Sequence, residues 1–224
     1  MTVSLLPRGV RAAALTSGVV GFVADVFLVL YYAVAKPWQE NPAESWFGTA
    51  NDVLIIVQFG LLAVVVLGLA RAVGAPRVRP WSIAAALACA VVVLLQALFV
   101  AGVFTFGAVV VPVSLGCIVT MIWAAVVSRP ARAAGVISAT AAALGRALGI
   151  LLPAALAVFA IGFAVTAAAD ISWAWVAGAA PAFALWFVLP LWTAAVALPA
   201  RSAALAVDHE LRVPAGGVSH PQSP

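Results

Sequence analysis

An aspartate in the middle of an apolar helix is the residue with the most chemistry to offer in this chain. Asp25 lies in SGVVGFVADVFLVLYY, residues 17–32, and is the one charge deep inside any apolar run. A carboxylate at that depth costs roughly 2.5–3.5 kcal/mol on insertion scales, so it must face protein or water rather than lipid. There it can bind a proton or serve as a buried hydrogen-bonding anchor. Ser17, Gly21 and Asp25 recur at four-residue steps and share one helix face, and small residues on a face let a second helix approach closely. Gln58 and Gln96 are the strongly polar residues of the next two apolar runs and the expected neighbours of Asp25. Asp52 and Asp170 are secondary candidates at the outer face. Asn51 and Asp52, just ahead of the second run, are expected to cap a helix N-terminus; Asp170, beside Trp173 and Trp175, reads as a hydrated interfacial acid.

Little else in the chain could do chemistry. Cys89 and Cys117 are the only cysteines, fall inside apolar runs, and are expected to be free packing thiols. His209 and His220 lie in the C-terminal tail, so no intramembrane histidine is present to hold haem or a metal. Walker A, GxSxG, HExxH, CxxC and nucleotide-binding glycine patterns are all missing, and the sequence implies no cofactor. One Asp, two Gln, scattered Ser and Thr and two separate Cys are too few for an acid, base and nucleophile set.

The elements that must position these residues are apolar helices. The chain is 66% hydrophobic and 8% charged with a mean hydropathy of +1.20, where a soluble domain carries about 25% charged residues. The fold class expected is all-α, a six-helix membrane bundle with spans at about 12–35, 53–70, 81–101, 107–127, 148–168 and 176–198 and a disordered tail over 201–224. The first run also resembles a signal peptide, with Ala33-Val34-Ala35 as the cleavage pattern. Its length, its aspartate and the runs that follow favour a retained helix. Pro37 and Pro42 break the loop after it, where Trp38, Trp46 and Phe47 suit the headgroup level. Ser82, Cys89 and Gln96 form a thin polar seam on the third helix, and Gly162, Thr166 and Asp170 a small-polar stripe on the fifth. Residues 135–144 are expected to form a separate surface helix, and Pro181 with Pro190 to bend or break the last span. No tandem repeat stands out between the runs.

Charge orients the bundle. Formal charge is +4, but the basic residues sit in short segments between apolar runs, so they signal topology and not nucleic acid. Segments 1–11, 71–80, 128–147 and 199–224 hold ten Arg, while the other side has Lys36 against Glu40, Glu44, Asp52 and Asp170. The positive-inside bias then places both termini in the cytoplasm. Richness in Arg and Ala points to a bacterial cytoplasmic membrane. The lipid bilayer is the one partner implied, and a homo-oligomer or an unidentified membrane or cytoplasmic partner, docked on the Arg-rich segment 128–147, stays open. Two functions compete: a structural, accessory or regulatory membrane subunit in which Asp25 is a packing residue, and a small transporter or channel-like protein, proton-linked through Asp25 with Gln58 and Gln96 beside it.

Overall fold

A computed structural model describes residues 6–36, 45–169 and 173–199. They form α1 (Arg8–Ala35), α2 (Trp46–Val73), a 3-10 turn (Pro76–Val78), α3 (Arg79–Val100), α4 (Phe106–Ala133), α5 (Ala139–Ala169) and α6 (Trp173–Val196). There is no strand among the described residues. All six helices are long and apolar enough to cross a membrane, as in a multi-pass membrane protein. Residues 1–5, 37–44, 170–172 and 200–224 lie outside the described residues, and with them Pro37, Trp38, Glu40, Pro42, Glu44, Asp170, His209, His220 and the tail.

Each helix packs antiparallel on the next, and α6 returns to α1, so the six close into a ring. The helix α4 also touches α2 and α6 across the middle, which draws the even-numbered helices inward. The odd-numbered α3 and α5 lie outside and turn Ile83, Leu87, Leu94, Ile150, Ile161 and Phe163 outward, as a lipid-facing surface requires. Glycines set the closest approaches. A methyl placed on Gly18 of α1 would lie 2.7 Å from the Pro190 carbonyl oxygen and the Ala194 nitrogen of α6, and one on Gly162 of α5 would lie 2.6 Å from the Ala174 carbonyl oxygen. Without a Cβ at these points the backbones can meet.

Four sequence expectations change. Ser45, not Asn51 or Asp52, caps α2: its hydroxyl accepts from the Phe47 N–H at 3.3 Å, and the helix is already a turn old at Asn51. Residues 135–144 do not form a separate surface helix. Gly135, at φ 70°, ends α4; the Ser138 hydroxyl then accepts the Ala141 N–H at 3.1 Å and starts α5, which runs unbroken for 31 residues, roughly 46 Å. Its first turns are held to α4 because Gly145 fits over Ser128 and Gly149 over Ala125. The helix α6 stays whole through Pro181 and Pro190. α1 starts at Arg8 rather than near residue 12, and the Arg11 Nε–H donates to the Ala197 carbonyl oxygen at 2.9 Å, tying the first helix to the end of the last.

A fifth change is a repeat that only the packing makes evident. The hairpins α3–α4 and α5–α6 align at one constant offset, with Ala85-Ala86-Leu87-Ala88 matching Ala154-Ala155-Leu156-Ala157. Along the sequence Pro112, Trp123, Val127 and Pro130-Ala131-Arg132 match Pro181, Trp192, Val196 and Pro199-Ala200-Arg201. The first hairpin follows the same plan with a longer connection. Ala70-Arg71-Ala72 aligns with Ala131-Arg132-Ala133, and Gly74 aligns with Gly135, both at positive φ after their helices. Leu62, Trp123 and Trp192 then occupy one level, as do Val66, Val127 and Val196, and all six are almost wholly buried. The bundle is three similar hairpins around an axis, each with its second helix inside.

Candidate functional site

Two buried polar groups lie in this frame, one nearer each end. The register of α1 on α2 builds the first. Gly21 packs against the Gln58 amide and Gly48 against the Tyr31 ring, which sets Asp25 level with Leu54, about one turn from both Asn51 and Gln58. The Ser17 hydroxyl donates to the Gln58 backbone carbonyl at 3.0 Å. Ser17, Gly21 and Asp25 are all buried, Asp25 at 5% exposure, and Asn51 and Gln58 are each 5% exposed. The carboxyl therefore faces the interior rather than lipid. Cys89 of α3 and Cys117 of α4 are buried in the same bundle, and both are free.

Gln96 does not join Asp25. Its Nε2–H donates to Asp52 Oδ1 at 2.6 Å, and the Asn51 Nδ2–H reaches the same oxygen at 3.4 Å. Both carboxamides thus turn nitrogen toward Asp52, and the Asn51 oxygen turns away. Two buried oxygens, Asn51 Oδ1 and Asp25 Oδ2, have no hydrogen-bond partner among the described residues. Asp52 is half-buried at the sixth position beyond the α2 N-terminus, so it joins α2 to α3 at the end remote from the arginines. Asp170 lies outside the described residues.

The second group was not expected from the sequence. Trp123 of α4 and Trp192 of α6, both fully buried, meet edge to face with ring centroids 5.5 Å apart. The Trp123 indole N–H donates to the Ser82 hydroxyl of α3 at 3.0 Å, and the Trp192 indole N–H to the Ser128 hydroxyl of α4 at 3.0 Å. Each serine passes its own proton back one turn, Ser82 to the Val78 carbonyl and Ser128 to the Ala124 carbonyl. Every polar atom in this chain of bonds has a partner, which makes it a packing device that plugs the axis at the arginine end. The signal that could have found it is the matched pair of tryptophans, each seven residues ahead of a Pro-Ala-Arg triplet.

Three threonine hydroxyls bond back to their own helices, and the Ser138 hydroxyl donates across to the Ala195 carbonyl of α6 at 3.3 Å. Thr120 bonds to the Cys117 carbonyl, Thr193 to the Leu189 carbonyl and Thr166 to the Gly162 carbonyl. Two hollows on the described bundle are apolar. One, of about 430 Å³, lies beside Phe27, Trp46 and Val53; the other, of about 250 Å³, lies between α5 and α6 at Leu151, Val158 and Leu185. Neither includes Asp25. Among the described residues no three His, Cys, Asp or Glu side chains come together, which is the donor set a transition metal would need. No family model, curated protein or solved structure matches the chain.

Proposed function

We propose that this protein is a structural, accessory or regulatory subunit of a bacterial cytoplasmic membrane, with both termini in the cytoplasm. The observation that carries the reading is the filled axis: paired tryptophans occupy one end, and Asp25, Asn51 and Gln58 beyond them are buried among packed helices. Arg8, Arg11, Arg71, Arg77, Arg79, Arg129, Arg132 and Arg146 belong to the same end of the described bundle, which supports the orientation through the positive-inside bias. Reporter fusions after Arg79 and after Arg201 are expected to score cytoplasmic. A periplasmic signal from either overturns the topology.

A second reading, a small proton-linked carrier, is favoured by one observation, the partnerless Oδ2 of Asp25. The two readings part at Asp25→Asn, which cannot titrate. In the subunit reading the substitution leaves folded yield equal to wild type, because the amide keeps the size of the carboxyl and its capacity to hydrogen-bond. Wild-type proteoliposomes under a pH gradient should then show no more proton flux than empty ones. Flux that requires the wild-type carboxyl and disappears in Asp25→Asn would replace the subunit reading with the carrier.

A further inference from the structure

The seam between α4 and α5 carries two arginines that the rest of the bundle leaves unanswered. Gly145 packs on the Ser128 hydroxyl, so these two positions face each other across the seam. Successive residues of a helix are turned by about 100°, and because the two helices run antiparallel the residue after each contact swings to the same side. Arg129 and Arg146 therefore stand on one side of the seam, and Val127 and Leu144 on the other. Val127 is wholly buried and Leu144 packs against the core, whereas both arginines are exposed, which puts the arginine pair on the outside of the ring. Helix side chains lean toward their own N-terminus. Arg129 starts nearer the arginine end of the bundle and leans away from it, while Arg146 starts farther in and leans back, so the two tip toward each other.

Nothing in the protein offsets these charges. Neither guanidinium has a hydrogen bond or an ion pair among the described residues, in contrast to Arg11 and Arg132, which donate to carbonyl oxygens. The only acids among the described residues are Asp25, deep in α1, and Asp52, at the far end. Packing does not call for the pair either, since the positions that match Arg129 in the other two hairpins are Gly68 and Leu198. Its depth is that of a lipid headgroup. Phe106 to Ser128 of α4 and Ala147 to Ala169 of α5 contain no Asp, Glu, Lys or Arg and each run roughly 34 Å, against a hydrocarbon core of about 30 Å. Arg129 and Arg146 are thus the first charges met on leaving the hydrocarbon. Beyond Arg146, toward the hydrocarbon, α5 continues with Gly149, Ile150 and Pro153, all exposed and apolar.

We propose that Arg129 and Arg146 hold the phosphate of an anionic phospholipid against the outside of the α4–α5 seam, with its acyl chains along Gly149, Ile150 and Pro153. The guanidinium fork matches phosphate oxygens in pairs, and one phosphodiester between two guanidiniums replaces their mutual repulsion by two attractions. A zwitterionic lipid brings its own cation to compete for the same phosphate, so the anionic lipid is preferred. An acidic segment of a soluble partner would approach from the end of the bundle, whereas this pair opens sideways into the bilayer. The site goes beyond the subunit reading and rests only on α4 and α5 spanning a membrane.

The test is native mass spectrometry of the full-length protein released from nanodiscs of phosphatidylcholine with a minor share of phosphatidylglycerol. Wild type is expected to keep one phosphatidylglycerol after phosphatidylcholine has been stripped. Arg129→Gln and Arg146→Gln should each weaken that binding about fivefold, and neither should lower folded yield, because both side chains are exposed and unbonded. Arg8→Gln and Arg71→Gln, at exposed arginines of α1 and α2, should leave it unchanged. Phosphatidylglycerol held no better than phosphatidylcholine overturns the proposal. So does an equal loss in all four variants, which reduces the effect to general basic charge, and so does displacement of the lipid by inorganic phosphate, which makes the ligand a free anion. Lipid binding untouched in both seam variants, with an acidic peptide binding wild type and not those variants, would give the pair to a protein partner instead.

Discussion

Trp192→Ala is expected to cost about 3–5 kcal/mol of bundle stability, the range for removing a large buried aromatic side chain. The indole is wholly buried against Trp123, so its loss leaves a void at the axis that the surrounding helices can fill only in part. It also takes a donor away from the Ser128 hydroxyl. Trp192→Phe separates the two contributions, because it keeps a ring and deletes the N–H; a loss near 1 kcal/mol is expected there. Reversible unfolding in mixed micelles measures both. If the alanine variant matched wild type, the tryptophan pair would not be a plug and the filled-axis argument would fall with it.

Gly18→Leu is the second large effect expected, and it acts by prising α1 from α6. The first added carbon would already meet the Pro190 carbonyl and the Ala194 backbone at 2.7 Å, and backbone atoms cannot swing aside as a side-chain tip can. Overpacking of this kind costs about 1–3 kcal/mol where the surroundings can shift. Here relief requires the ring to open, so loss of the folded protein's peak on size exclusion is the expected outcome. Gly60→Ala is the matched control. Nothing lies within 4 Å of a methyl at Gly60, and this mid-helix position should gain up to about 1 kcal/mol from the better helix former. Equal behaviour of the two variants would mean that the α1–α6 contact is not what closes the bundle.

Hydropathy made six helices legible because a run of about twenty apolar residues has few alternatives. The same signal misplaces helix ends, since a helix continues past the hydrocarbon wherever a neighbour covers it. Trp46 to Asp52 and Ala139 to Ala147 are two such extensions, the first begun by Ser45 and the second held by Gly145 on Ser128. The face shared by Ser17, Gly21 and Asp25 could be read from four-residue spacing alone. Which residue would meet Asp25 could not, because partner choice depends on register between helices. Gln96 lies at a depth that suits Asp52, and the glycine contacts of α1 bring Asp25 to the level of Leu54 instead. The repeat was hidden by its own chemistry, since Ala, Val and Leu recur by chance in any apolar helix; Trp, Pro and Arg carry the match, and their meaning depends on knowing that α4 and α6 are both inside.

The bond from Arg11 to the Ala197 carbonyl joins groups 186 residues apart in the chain. At synthesis rates of about 5–20 residues per second, roughly 10–40 s separate the emergence of α1 from the arrival of the helix that covers Gly18. During that interval α2 can pair with α1 and shelter Asp25, but the face that α6 will occupy has only lipid or an insertion chaperone against it. The ring can close only after α6 has emerged, so truncated chains that stop before α6 leave an open bundle for membrane quality control to meet.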